Sequence, residues 1–395
     1  MEGWSTRRIG SFGRVVTGGT PSTGDDAAWG DKVPFITPSE IDYSLRSPLA
    51  GRKLSDEGVA GLRNKSLPAD SVLFVCIGFS TGKVSFTDRL VITNQQVNSI
   101  VPNGVDSALF LYYVLKFYAP NIRKLASGST TPIVNKTQFS EFEVTAPPVT
   151  EQQAIAEVLG ALDDKIAFNE RIRSTALGLA DACYEAAEKS SHPETIGDLA
   201  ALFDGPHATP RKTPEGPWFL SISSLKSGYL DLAESAHLSE DEFPRWTRRV
   251  QPKAGDMLFS YETRLGDAAL MPAGVRGSLG RRMALLRSKS DAVSGALLLH
   301  AYLAPAFQEE IKRRTIHGAT VDRLPLKEMP AWRIYLPATG ERERLSAKLD
   351  ALHNTVMQTA TECRSLTDLR DTLLPQLITG KLRVKDATRI VEDEV

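Results

Sequence analysis

The sequence predicts an α+β fold made twice: two tandem-duplicated α+β globules separated by two long helices that form an antiparallel coiled coil. Three observations lead to it. The chain of 395 residues matches itself at a shift of about half its length. Each half opens with short alternating runs, and each closes with an apolar stripe of helical period. One ordinary core is too small for a chain this long, so two to three domains are expected.

The repeat is the strongest signal. A shift of 190 residues sets Gly128-Ser129-Thr130 on Gly318-Ala319-Thr320, Val144 on Ile334, Pro147 on Pro337, Glu151 on Glu341 and Leu159 on Leu349. Upstream the offset drifts to about 184–185, where Leu54-Ser55-Asp56-Glu57 matches Leu238-Ser239-Glu240-Asp241. Apolar, Gly and Pro positions agree in order over most of each half, which points to duplication.

The elements follow in order. Residues 1–149 form the first globule, with β-like runs at 71–78, 83–86 and 141–144 and a helix over 107–118 ahead of Pro120. Residues 150–193 form the first long helix. Thr150-Glu151-Gln152-Gln153 has the pattern of a capping box, and Ile155, Leu159, Leu162 and Ile166 step 4, 3, 4. The stripe resumes at Ile172, Ala176, Leu179 and Cys183. Residues 194–337 repeat the globule, with a helix over 294–302 before Pro305. Residues 338–380 repeat the helix, and here Leu345, Leu349, Leu352, Val356, Thr359, Cys363, Leu366, Arg370, Leu373 and Leu377 alternate steps of 4 and 3. That 3.5-residue period is what supercoiling requires. Pro375 should kink or end this helix, Gly380 suits its terminus, and 381–395 reads as a tail. Helices of about 35–40 residues reach about 50–60 Å, too long to lie wholly on a globule of this size.

Composition excludes several classes. Hydrophobic residues make up 42 % and charged residues 24 %, a normal soluble balance. No run of eighteen apolar residues occurs and the first residues lack a leader pattern, so membrane spanning and secretion are disfavoured. Cys76, Cys183 and Cys363 are too far apart for a disulfide framework or a zinc spacing, and a reducing, cytoplasmic setting is expected. The net charge of −1 hides segments of +2 (1–149), −5 (150–194), +3 (195–337) and −1 (338–395). Local phosphate contacts are compatible with that distribution.

Reactive motifs are missing. The sequence contains no phosphate-binding G-x-x-x-x-G-K-[ST], no G-x-G-x-x-G opening a helix, no G-x-S-x-G and no H-E-x-x-H. The six histidines are scattered, and His300, in an apolar segment, reads as a satisfied core residue. Glu310-Ile311-Lys312 lacks the preceding Pro-Asp of a nuclease and reads as a solvated helix face. Pro147-Pro148 precedes Val149 rather than an aromatic residue, so it reads as a turn before the helix. No catalytic and no metal-binding residues are assigned.

The loops carry the candidate contacts. Thr20 and Ser22 lie in the first loop, matched in the second half by His207, Thr209, Arg211 and Lys212. Gln95, Gln96 and Asn98 form an amide cluster whose counterpart holds Arg281 and Arg282. Asn and Gln pair bidentately with adenine and Arg with guanine, so the halves would read different bases. Ser129 and Thr130, with Thr320 opposite, offer small residues near which phosphates can approach. The basic residues Lys83, Lys136, Arg264 and Arg323 complete the set.

These residues carry a family resemblance. Val15-Val16-Thr17-Gly18-Gly19-Thr20-Pro21, Gly128-Ser129-Thr130-Thr131-Pro132, Pro147-Pro148-Val149-Thr150-Glu151-Gln152-Gln153-Ala154-Ile155-Ala156, Leu162-Asp163-Asp164-Lys165-Ile166 and the close from Leu373-Leu374-Pro375-Gln376-Leu377 to Val384 resemble the specificity (S) subunit of a type I restriction–modification system. The resemblance implies that each globule is a target-recognition domain contacting one half of a split double-stranded DNA site. It implies helices that set the half-site spacing and dock two methyltransferase subunits, with restriction (motor) subunits joining for cleavage. S-adenosylmethionine, ATP and Mg would then belong to the partners, and this chain would hold no cofactor and perform no reaction. A half-site separation of about 34–36 Å, one turn of DNA, suits such a ruler. The alternative from another class is a non-catalytic coiled-coil scaffold for protein interaction.

Overall fold

A computed structural model describes residues 3–22, 24–42, 45–126, 132–188, 191–318 and 320–394. The chain divides into two compact units. Unit 1 is Met1–Ala167 with Arg364–Val395, and unit 2 is Phe168–Cys363.

Unit 1 is built on a four-stranded antiparallel sheet in the order Gly13–Thr17, Val97–Pro102, Val72–Val75, Val84–Phe86. Val72–Val75 is buried along its whole length, as expected of a central strand covered on both faces. A second sheet orders Trp29–Gly30, Arg52–Leu54, Val33–Ile36 and Ile92–Thr93, with Phe35 beside Ile92 in parallel. Ser5–Arg8 pairs with Glu143–Ala146. The helix Ala108–Arg123 starts at Ser107, whose hydroxyl accepts from the Phe110 amide, and passes through Pro120 instead of stopping before it.

Unit 2 repeats this topology. Its main sheet orders Ala200–Asp204, Met283–Ser288, Met257–Ser260 and Ala268–Leu270. Thr213–Phe219 lies between Ala236–His237 and Gly277–Ser278, again with one parallel pair, and His192–Thr195 pairs with Arg333–Leu336. The helix Gly295–Leu303 is capped by Ser294, and Pro305 opens the helix Pro305–Arg314. Duplication inferred from spaced residues is therefore a duplication of strand order.

The two long helices are Val149–Glu188 and Thr339–Ile378, each of 40 residues. In unit 2, Asn169, Glu170 and Arg173 lie against Cys363, whereas Ala180 and Tyr184 share a core with Leu345 and Leu349. One helix ascends as the other descends, so the pair is antiparallel. The same core holds Leu297 and Tyr302 from Gly295–Leu303 and Phe259 and Leu286 from the sheet, so the globule's own helix joins the seam.

Four expectations need correction. Leu179 is 48 % exposed, and the buried line runs through Ala176, Ala180 and Tyr184, because a 3.6-residue helix drifts off a strict 3.5 repeat. The Thr150–Gln153 box does not form. The helix starts at Val149, the amides of Glu151 and Gln152 bond the Pro148 carbonyl, and Gln152 does the side-chain work. Pro375 sits inside the helix, which ends at Ile378 with Gly380 at φ +68°. Residues 381–395 are not a plain tail: Val384–Glu394 is helical, with Ala387 buried. Among the described residues no helix is long and apolar enough to cross a membrane.

Candidate nucleic-acid interface

Antiparallel pairing brings four segments to one end of each main sheet. In unit 1, Thr17 at the end of its strand lies opposite Asn98, and Val75 opposite Val97. Loop 18–22, turn 94–96 and turn 76–83 therefore converge. Segment 132–134 docks on them, with the Gly78 amide donating to the Pro132 carbonyl (3.0 Å) and the Val134 amide to the Cys76 carbonyl (2.9 Å). The approach is close. A Cβ on Gly18 would stand 2.2 Å from the Asn94 carbonyl oxygen, so only glycine fits there. Lys65 holds the loop by donating to the Gly18 carbonyl (2.9 Å).

Unit 2 has the same construction. A Cβ on Gly205 would meet the Met283 carbonyl oxygen at 2.5 Å, and Arg249 donates to the Gly205 carbonyl (3.1 Å) as Lys65 does to Gly18. The Thr263 amide donates to the Asp322 carbonyl (3.3 Å), matching Gly78 and Pro132.

The proposed side chains divide into three groups. At the cluster surface, Thr20 donates to the Gln95 amide oxygen (2.7 Å), which leaves the Gln95 nitrogen facing outward. Ser22 and Lys136 are also exposed, Lys136 in the first turn of Lys136–Glu141. In unit 2, Thr209, Arg211, Lys212, Arg281, Thr320 and Arg323 are exposed, and their side chains have no hydrogen-bond or ion-pair partner among the described residues. His207 and Arg264 are exposed but tied to Asp204 (3.0 Å) and Asp267 (2.6 Å).

Four residues are engaged in holding the protein together. Asn98 is 1 % exposed; it accepts from Thr17 (2.7 Å) and donates to the Val134 carbonyl (3.3 Å), so it cannot reach a base. Lys83 donates to the Ile41 carbonyl (2.8 Å) and ties down a neighbouring loop. Arg282, at φ +69°, is ion-paired with Glu262, while Gln96 accepts from Asn94 (3.0 Å) and is half-buried. Of the two matched pairs, Gln95 and Arg281 are therefore the exposed members. Ser129 and Thr130 lie outside the described residues.

Sequence reasoning missed two cationic clefts. In unit 2 a concavity of about 500 Å³ opens between loop 204–208 and residues 245–250, with Arg245 and Arg248 exposed on its wall. In unit 1 one of about 600 Å³ lies beside turn 81–82, lined by Lys116, Arg123 and Lys124. The run Arg245-Trp246-Thr247-Arg248-Arg249 was a legible signal. Burial pushes the Cys76 thiol up to about 11, away from the nucleophilic range. Among the described residues no group of three His, Cys, Asp or Glu side chains is placed to hold a metal ion.

Fold and site together define a duplicated α+β protein that presents one loop cluster twice with different side chains. Residues 1–176 match the family described as type I restriction modification DNA specificity domain. The chain is 22 % identical to the type I restriction enzyme MjaIX specificity subunit of Methanocaldococcus jannaschii, over 97 % of this chain and 94 % of that one. It is 35 % identical to the HindI specificity subunit of Haemophilus influenzae over 37 % of this chain and 32 % of that one. A crystal structure of the type I restriction–modification S subunit from M. genitalium shares the fold, with a TM-score of 0.61, 17 % identity and 95 % and 96 % of the two chains covered. The chain is thus similar over nearly its whole length to specificity subunits of type I restriction–modification systems, and its first 176 residues match their DNA specificity domain.

Proposed function

We propose that this chain supplies the DNA sequence specificity of a type I restriction–modification complex, each unit reading one half of a bipartite target. One observation carries the reading: Gln95 and Arg281 occupy matched, exposed positions beside matched glycine loops, and their chemistries select different bases. Arg245, Arg248 and Lys116, Arg123 and Lys124 are suited to phosphates, which position a protein on DNA without reading it. The long helices set the half-site gap and dock two methyltransferase subunits. Restriction subunits add cleavage. S-adenosylmethionine, ATP and Mg act on those partners, in the cytoplasm, and this chain alone neither methylates nor cuts.

Co-expression with the methyltransferase subunits, followed by mapping of methylated bases, tests this. A two-part motif is expected. Removing seven residues from each long helix, about 10 Å of rise, should change the gap by about three base pairs. An unchanged gap would refute the ruler, and a continuous motif the bipartite reading.

A further inference from the structure

Turn 76–83 of unit 1 carries a residue that the core does not use. Phe79 is 88 % exposed at its tip. The turn is firmly built: Gly78 sits at φ +82° and Gly82 at φ +100°, Thr81 donates from both amide and hydroxyl to the Gly78 carbonyl (3.1 and 2.7 Å), and the Gly78 amide is bonded to segment 132–134. A single exposed apolar ring is common on protein surfaces, so what distinguishes Phe79 is the rigid turn that presents it.

The matched turn of unit 2 bears on what such a ring would meet. Thr263 at φ +70° takes the place of Gly78, Gly266 at φ +90° that of Gly82, and Arg264 stands where Phe79 stands. The second turn is one residue shorter between these positions, yet it keeps both positive-φ sites and exchanges the tip residue. A protein docking alike on both repeats would meet an aromatic ring on one and a guanidinium on the other. A DNA groove accommodates both, because arginine matches guanine while an apolar ring packs on the methyl group of thymine. The Cys76 amide bonds the Gln96 carbonyl (2.8 Å), so the base of this turn adjoins the turn that carries Gln95.

We propose that Phe79 is a specificity-determining residue of the first repeat, contacting the 5-methyl group of a thymine in the major groove of its half-site. This rests on the DNA-reading function proposed above. Once the motif is mapped, the full chain with its methyltransferase subunits is titrated with duplexes in which each thymine of the first half-site is replaced by uracil in turn. One replacement should weaken the wild type about fourfold, the worth of one buried methyl. Phe79→Ala should weaken binding at least as much and be indifferent to that replacement, while discrimination in the second half-site stays unchanged. The proposal is overturned if the half-site holds no thymine, if no replacement loses its effect in Phe79→Ala, or if Phe79→Ala binds DNA normally but no longer retains the methyltransferase subunits. Absence of any sequence preference in the wild type would instead remove the DNA reading itself.

Discussion

The same mechanical joint is made from different chemistry in the two units. In each, a helix of the globule meets segments of both long helices. In unit 1, Tyr113 donates to Asp163 (2.7 Å), and Arg370 donates to the other oxygen of that carboxylate (2.7 Å). In unit 2, Asp181 accepts from His300 Nδ1 (2.9 Å), and His300 Nε2 lies 2.9 Å from His353 Nε2. The Asp181 contact fixes the protons: His300 carries its hydrogen on Nδ1, so His353 donates from Nε2 and buries only an unpaired acceptor. Asp163 and His353, and likewise Tyr113 and His300, are matched positions of the repeat.

A second pair of contacts diverges in the same way. Gln152 donates to the Pro147 carbonyl (3.0 Å) and to Asp106 (2.9 Å). Burial would raise the Asp106 carboxyl, but Arg7, Asn103 and Gln152 hold it down at about 2. In unit 2 the matched Arg342 donates to the Pro337 carbonyl (2.7 Å) and pairs with Glu194. After duplication, geometry constrains which elements meet, and more than one set of polar partners satisfies the joint.

The largest effect should come from Arg370→Met. It leaves the Asp163 charge buried, with its Tyr113 contact but without its cation, and should cost unit 1 about 3–5 kcal/mol in denaturant unfolding. A loss within the range of an exposed pair would show that water reaches this joint. Next comes pH. Burial, reinforced by His300, pulls the His353 pKa down to about 4. The unfolded chain takes up that proton more readily than the folded one. Stability is thus complete above about pH 6.5 and is lost as the pH falls toward 4, by up to about 3 kcal/mol. His353→Phe should abolish that acid loss, and calorimetry from pH 7 to pH 4 reads it. The smallest effect is at the bases. Gln95→Ala and Arg281→Ala should each relax only their own half-site, by about 1–3 kcal/mol of discrimination, as seen in methylation motifs. Equal loss over both half-sites would break the equivalence of the two clusters.

Local periodicity made much of this visible in the sequence. The seam from Leu345 to Leu377 needs only a 4–3 count, and the strand order follows from a repeat that keeps its turns. The joints were not legible, because the 4–3 count sets Arg370 on the seam but does not identify Asp163, 207 positions away, as its partner. His300 was read correctly as a satisfied core residue from its apolar surroundings, though its partner was not. At the interface, residue type located the loops but could not separate outward Gln95 from inward Asn98, which differ by three positions in a region where the strand begins at Val97. Phe79 was masked by the apolar run that precedes it.

Unit 1 is closed by residues at the far end of the chain, Arg364–Val395. On the ribosome, the N-terminal half must therefore wait for Arg370. The intervening 200 or so residues take roughly 10–40 s to synthesise. Throughout that interval Asp163 lacks its cation and the inner face of the first long helix stays uncovered in this unit. A nonsense mutation near the C-terminus should therefore damage the domain encoded first.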